Sequence, residues 1–212
     1  MALVDDIRAE LAPVRDQLLA HAYVAAVEEG LVPLEALRAF AGEQYAIITS
    51  DLRSVAHLVS RFGPDYFGLV LDGERAALEA LADFAAALGL DRRALEEYEP
   101  LPGAHAYAAY MAWLAAYGSD AEVAAAYLVN FAAWGESCGR LSRALTSRYG
   151  LTASQVRFFD LFASPGDEAP ALAVISAGLE RGVPERRVRR AARLLQGYEL
   201  LFWDALLGEL QR

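Results

Sequence analysis

Cysteine is almost missing from this chain. Cys138 is the single one in 212 residues, so no internal disulfide can form, and a reducing, cytoplasmic setting is expected. Histidine is nearly as scarce, with only His21, His57 and His105. None of the three has an aspartate, glutamate or histidine three or four residues away. The Glu-x-x-His spacing of helical di-metal sites is therefore absent. A multi-histidine metal centre is not expected, and no metal or cofactor is implied. No GxGxxG, P-loop or GxSxG motif occurs, which removes the common dinucleotide, nucleotide and serine-hydrolase signatures. No apolar run reaches the roughly 18 residues that a membrane span needs. Residues 1–12 include Asp5, Asp6, Arg8 and Glu10, which is not the pattern of a secretory leader. Prolines number only eight, and most fall at element boundaries. No alternating strand pattern bounded by turn residues is visible.

What is present is apolar and acidic. Apolar residues make up 56 % of the chain and the net charge is −10. That composition suits one folded domain over residues 1–212, with ample core. An acidic surface repels a phosphate backbone, so nucleic acid is not an expected partner. The arginines at 186, 187, 189, 190 and 193 read as a solvated helix face paired with the acidic surplus.

Helical periodicity runs throughout. Leu3 to Glu29 reads as one amphipathic helix, bent or broken at Pro13 and stopped by Gly30. Pro33 starts a helix to about Arg61, and Pro64 one to Gly89. A short charged helix follows at 91–97, then one at 105–117. Ser119-Asp120-Ala121-Glu122 is a capping box for a long helix over 120–149 closed by Gly150, and Thr152-Ala153-Ser154-Gln155 is a second. Helices at about 168–181 and from Pro184 onward complete an all-α bundle.

Two helices carry unusual polar residues. On the last helix Leu194, Leu195, Tyr198, Leu201, Phe202, Ala205 and Leu206 form an apolar stripe. Glu199 lies beside it, with Leu195, Gln196, Phe202 and Trp203 three or four residues away. A carboxylate so placed is desolvated and raised in pKa, as an acid/base group would be. The alternative is a boundary glutamate paired with an arginine of a neighbouring helix. On the long middle helix, Asn130, Trp134, Ser137 and Cys138 share a face. Asparagine is a poor interior helix residue, so Asn130 faces either a pocket or a hydrogen-bonding partner in the core. Cys138 reads as an inert buried thiol.

Several segments together resemble the TenA (thiaminase II) family, within the wider haem-oxygenase-like helical fold that also includes the PqqC group. His21-Ala22-Tyr23-Val24 through Gly30 to Pro33 resembles that family's entry segment. Ala106-Tyr107-Ala108-Ala109-Tyr110-Met111 is similar to its "AYTxYL" helix, and Leu128 to Leu141 to its "LPCxWxYxEIGxxL" helix. Tyr198-Glu199-Leu200-Leu201-Phe202-Trp203-Asp204 resembles its "YExxFWD" close. The resemblance implies a haem-oxygenase-like bundle, a homodimer or tetramer, and a buried pocket for aminopyrimidines from degraded thiamin. It implies Glu199 as the catalytic glutamate, and Tyr107 and Phe202 as pocket residues. Other positions depart from the family. Gln44 stands where a pyrimidine-binding aspartate is usual, and Ile47 where a tyrosine is. Asn130 takes the place of the nucleophilic cysteine, with Val129 for the preceding proline. Trp134 and Phe162 each replace a tyrosine. An asparagine amide can only hydrogen-bond, and Gln44 offers only neutral bonds where an aspartate offers charge-assisted ones. Three functions follow as expectations. The first is an enzyme on an altered heteroaromatic substrate with Glu199 as acid/base. The second is a non-catalytic or differently catalytic binder of a small hydrophobic ligand. The third, a di-metal oxidase, is opposed by the histidine count.

Overall fold

A computed structural model describes residues 2–164 and 166–211. Every element in it is helical: α1 (Ala2–Leu19), α2 (Ala22–Glu28), a 3-10 turn (Leu34–Ala36), α3 (Leu37–Phe62), α4 (Pro64–Ala87), α5 (Arg92–Glu96), α6 (Pro102–Tyr117), α7 (Asp120–Tyr149), α8 (Ala153–Ala163), α9 (Ala169–Glu180) and α10 (Glu185–Leu210). Among the described residues no helix is long and apolar enough to cross a membrane.

The boundaries follow local chemistry. Ser119 and Glu122 form the reciprocal capping box that starts α7, satisfying amides that the first turn leaves unpaired. Gly150 closes the helix in the left-handed conformation at φ +71°, which costs glycine nothing. Thr152 and Gln155 repeat the box at α8. Besides α6, which begins at Pro102 and not at 105 because proline suits a helix's first turn, two boundaries differ from the sequence expectation. The first helix does not break at Pro13, which lies inside α1. Pro13 and Ala9 are both exposed, so water can take the carbonyl that the proline leaves unpaired. The break comes at His21 instead. Its backbone is extended, its Nδ1 accepts the Tyr23 amide at 3.2 Å, and its Nε2 meets Asp204 Oδ1 at 3.1 Å. The second difference is at Pro33, which leads into the 3-10 turn before α3 begins.

Helix α7 is the axis. Its residues 121–130 are all buried, as they must be in a helix with neighbours on every side. It packs against α1, α2, α8, α9 and α10, while α3 bridges α4 and α6. The arginine face of α10 meets acidic partners: Arg187 pairs with the buried Glu122 at 2.9 Å, and Arg189 with Asp6, Glu10 and Glu185.

The α7–α8 contact is set by Gly135. A Cβ there would lie 2.5 Å from the Phe162 carbonyl oxygen, a backbone atom that cannot swing away. Gly135→Ala should therefore lower stability despite the roughly 1 kcal/mol that alanine gains in helix propensity, because overpacking costs about 1–3 kcal/mol. A denaturant melt measures this; an unchanged or higher midpoint would show that α8 has slack.

Candidate functional site

A chamber lies between six helices. Helix α3 contributes Gln44, Ile47, Ile48 and Asp51, α4 Glu74, and α6 Tyr107. Helix α7 adds Asn130, Phe131 and Trp134, α8 Phe162, and α10 Glu199 and Phe202. All eight positions singled out in the sequence (Gln44, Ile47, Tyr107, Asn130, Trp134, Phe162, Glu199 and Phe202) line this one space. They come together because positions 44, 47, 48 and 51 lie on one face of α3, as 130, 131 and 134 do on α7.

The polar heart is a chain of hydrogen bonds crossing three helices. The Tyr107 hydroxyl donates to Asn130 Oδ1 at 3.0 Å. Asn130 Nδ2 donates to Glu199 Oε2 at 2.5 Å. Trp203, one turn along α10, donates its indole N–H to Glu199 Oε1 at 3.2 Å. Asn130 is thus both a pocket residue and an inter-helix linker. Glu199 has no arginine partner: it is 2 % exposed, and burial raises its pKa from 4.5 to about 8 despite the two donated bonds. A carboxyl poised near neutrality can give or take a proton under working conditions.

Around that chain the walls are aromatic. Trp134 meets Phe202 and Phe162 edge-on, at centroid distances of 5.9 and 5.8 Å, and stacks parallel to Phe40 at 6.3 Å. The void is small, about 40 Å³, against the few hundred Å³ of an ordinary ligand pocket. A cleft of about 640 Å³ lies outside it and shares Glu74, Phe131 and Phe162 with it. Phe131 and Phe162, 6.3 Å apart, stand between the two.

Sequence reasoning missed Asp51 and Glu74. Both are buried, at 2 % and 7 % exposure. Burial, with the Glu74 charge added, holds the Asp51 carboxyl well above its usual range, and burial raises Glu74 to about 7. The sequence carries only part of the signal, an apolar neighbourhood without the aromatic residues beside Glu199. Glu74 has Val70, Leu71, Ala77 and Leu78 three and four residues away, and Asp51 has Ile47, Ile48, Ser54 and Val55. These surroundings are as apolar as those that drew attention to Glu199.

No cysteine, serine or histidine lines the chamber, and the chain contains no lysine. What remains is proton transfer at the carboxyls of Glu199, Asp51 and Glu74, hydrogen bonding from Tyr107, Gln44 and Asn130, and stacking on the aromatic walls. Cys138 is fully buried, and burial together with the Glu199 charge pushes its thiol up. A thiol so raised is a poor nucleophile. Native protein at pH 8 should resist alkylation until denaturant is added, which mass spectrometry after iodoacetamide would test. Rapid native labelling would show that Cys138 opens to solvent.

Solved structures share the architecture. A TenA homologue from Pseudomonas syringae pv. tomato DC3000 superposes with a TM-score of 0.83 at 14 % identity, covering 98 % of this chain and 93 % of that one. One from P. horikoshii OT3 gives 0.76 at 18 %, covering 98 % and 99 %. Haem oxygenase-1 from the cyanobacterium Synechocystis sp. PCC6803, solved with haem, gives 0.71 at 16 %, covering 100 % and 95 %. The fold is thus the haem-oxygenase-like bundle that the sequence resemblance implied. No curated protein matches the sequence. The model of the TENA/THI-4/PQQC family matches residues 8–209, and over that span, nearly the whole length, the chain belongs to this family.

Proposed function

We propose that this protein, as a single helical domain, binds and hydrolyses a small heteroaromatic compound of the aminopyrimidine, thiamin-salvage type in the chamber, without a cysteine nucleophile. The observation that carries the reading is Glu199, a buried carboxyl raised to about 8 at the centre of the Tyr107–Asn130–Glu199 chain. Glu199 serves as acid/base, activating a water or protonating a departing amine. Tyr107, Asn130 and Gln44 orient the polar edge of the ring, and Ile47, Trp134, Phe162 and Phe202 hold its faces. Family membership adds weight, since TenA proteins act on such rings. Incubation with aminomethyl- and formylaminomethyl-pyrimidines, followed for amine or formate release, is expected to show turnover. Neither turnover nor binding with either compound would overturn the reading.

A second reading, a binder of a small hydrophobic ligand, is favoured by the aromatic walls and the missing nucleophile. The buried carboxyls of Asp51 and Glu74 weigh against it, because a purely apolar ligand would leave them without polar partners. The first reading also includes a cytoplasmic setting, in keeping with the lone thiol, and a homodimer or tetramer. Trp113 and Tyr117, exposed at 42 % and 69 %, offer apolar surface for self-association. Light scattering at micromolar concentration should give a multiple of the chain mass, and a monomer would remove that part.

A further inference from the structure

We propose that Asp51 and Glu74 form a cation-recognition subsite in the chamber, taking a protonated amine or amidine group of the ligand while Glu199 addresses its reacting part. The inference rests on the reading of the chamber as the ligand site, and adds the charge and chemical class of the group bound there.

The argument begins with charge balance. Other carboxylates withdrawn from solvent have partners: Glu28 has Arg140, Glu122 has Arg187, Glu43 accepts from the Tyr98 hydroxyl and the Leu101 amide, and Glu199 accepts from Asn130 and Trp203. Asp51 and Glu74 have neither an arginine nor a donor among the described residues, and Asp51 Oδ1 is sealed from solvent without a partner. Gln44, 5 % exposed on the same wall, is likewise without a side-chain hydrogen bond. Two carboxyls brought together from α3 and α4, with no positive group lining the space, leave the chamber short of a cation. Buried polar groups are ordinarily satisfied, and buried charges paired.

The walls decide what kind of cation fits. Tyr107, Phe131 and Phe162 line the same space, and aromatic rings attract ammonium and amidinium groups. A metal ion would need several converging oxygen, nitrogen or sulfur ligands. Among the described residues no three histidine, cysteine, aspartate or glutamate side chains are grouped to hold one. Position supports the assignment too. Glu74 lines both the inner void and the outer cleft, so it is within reach of a cation in either.

The charge state then follows. The titratable groups around the pair are Glu199 and the phenols of Tyr66, Tyr107 and Tyr127, and burial keeps those phenols protonated. Empty, the pair holds protons in place of a counter-ion. Entry of a cation favours both carboxylates ionised, so binding releases protons.

The test uses the full chain and matched probes: acetamidine against acetamide, and benzamidine against benzamide, by calorimetry and thermal shift. The amidinium of each pair is expected to bind at least tenfold more tightly. Asp51→Asn and Glu74→Gln should each reduce that preference, and the double variant should abolish it. Should the variants fail to fold, wild-type calorimetry at pH 6.5 in two buffers of different ionisation heat still decides, since proton release must accompany amidinium binding. Equal binding of charged and neutral probes, a preference that survives the double variant, absent proton release, or a stoichiometric metal lost on substitution would each overturn the proposal. Turnover of aminopyrimidines with no charge preference in either probe pair removes this inference and leaves the acid/base reading standing. If neither the probes nor the aminopyrimidines bind, both fall.

Discussion

The Glu199→Gln variant is expected to lose turnover by about 10²–10⁴-fold, the usual worth of a positioned acid/base group, while melting higher than the parent above neutral pH. The two effects have one origin. Glu199 is 2 % exposed, and burial raises its pKa from 4.5 to about 8. Folding therefore favours its proton-bound form. Its contribution to stability is fully present below about pH 4.5, where the unfolded chain is protonated as well. It is lost as pH climbs through about 8, because the buried group must then ionise. The loss amounts to several kcal/mol, at 1.36 kcal/mol for each pKa unit. Glutamine cannot ionise and escapes it. Its amide can be accommodated if the Asn130 amide turns over to offer Oδ1 and the Tyr107 hydroxyl changes from donor to acceptor. A thermal melt series from pH 5 to 9 should show the wild type falling steeply and the variant less so. Parallel curves would mean that Glu199 does not titrate where its burial places it. An unchanged rate constant would remove it from catalysis.

The same linkage places the whole protein's optimum unusually low. Glu74 is another raised carboxyl, whose contribution is lost as pH rises from about 4.5 through about 7, and burial raises Asp51 and Glu43 too, in the same direction. On the acid side Glu28 acts in reverse, since its bond to Arg140 holds it below 4.5 and its contribution fades as pH falls through that range. Stability should therefore peak near pH 5, below the middle of the usual range. A maximum at pH 7 or above, in the absence of ligand, would contradict the burial of these carboxyls.

Much of this was legible before the structure, for physical reasons that also explain the gaps. Capping boxes are local: Ser119 with Glu122 and Thr152 with Gln155 need only four consecutive residues, so α7 and α8 could be read from the sequence. The break at His21 depends on Asp204 from the far end of the chain, and periodicity cannot see that contact. Phe202 and Trp203 make a carboxylate at Glu199 conspicuous in the sequence, but they leave a boundary glutamate open, and it is the family resemblance that implies a pocket there. Asp51 and Glu74 sit among aliphatic residues on α3 and α4. A carboxylate on such a stripe reads as a boundary residue until another helix packs over it. The hydrogen bond from Asn130 to Glu199 links residues 69 apart, and only the packing of α7 on α10 brings them together. The resemblance aligned both positions without revealing that they touch.

That contact sets up the second large effect, at Asn130. Asn130→Asp changes almost no volume, yet it removes the donor to Glu199 Oε2 and puts a second carboxyl against it. Two adjacent buried carboxylates cannot both ionise cheaply, so they share a proton, and one of the pair is raised further. Below about pH 5 both hold protons, and the variant should lie within about 1–2 kcal/mol of the parent, the worth of one exchanged hydrogen bond. By pH 9 the parent ionises one carboxyl at this point and the variant must ionise two or retain an unfavourable proton. The added loss there should reach about 3–5 kcal/mol, as for a buried charge stripped of its partner. Asn130→Ala separates the two causes: it removes the donor without adding a charge, so its deficit should vary much less with pH. Denaturant melts of the three proteins at pH 5 and 9 measure the difference. If Asn130→Asp tracks Asn130→Ala at both pH values, the carboxyl has reached solvent, and the sealed polar chain from Tyr107 to Glu199 is not maintained in solution.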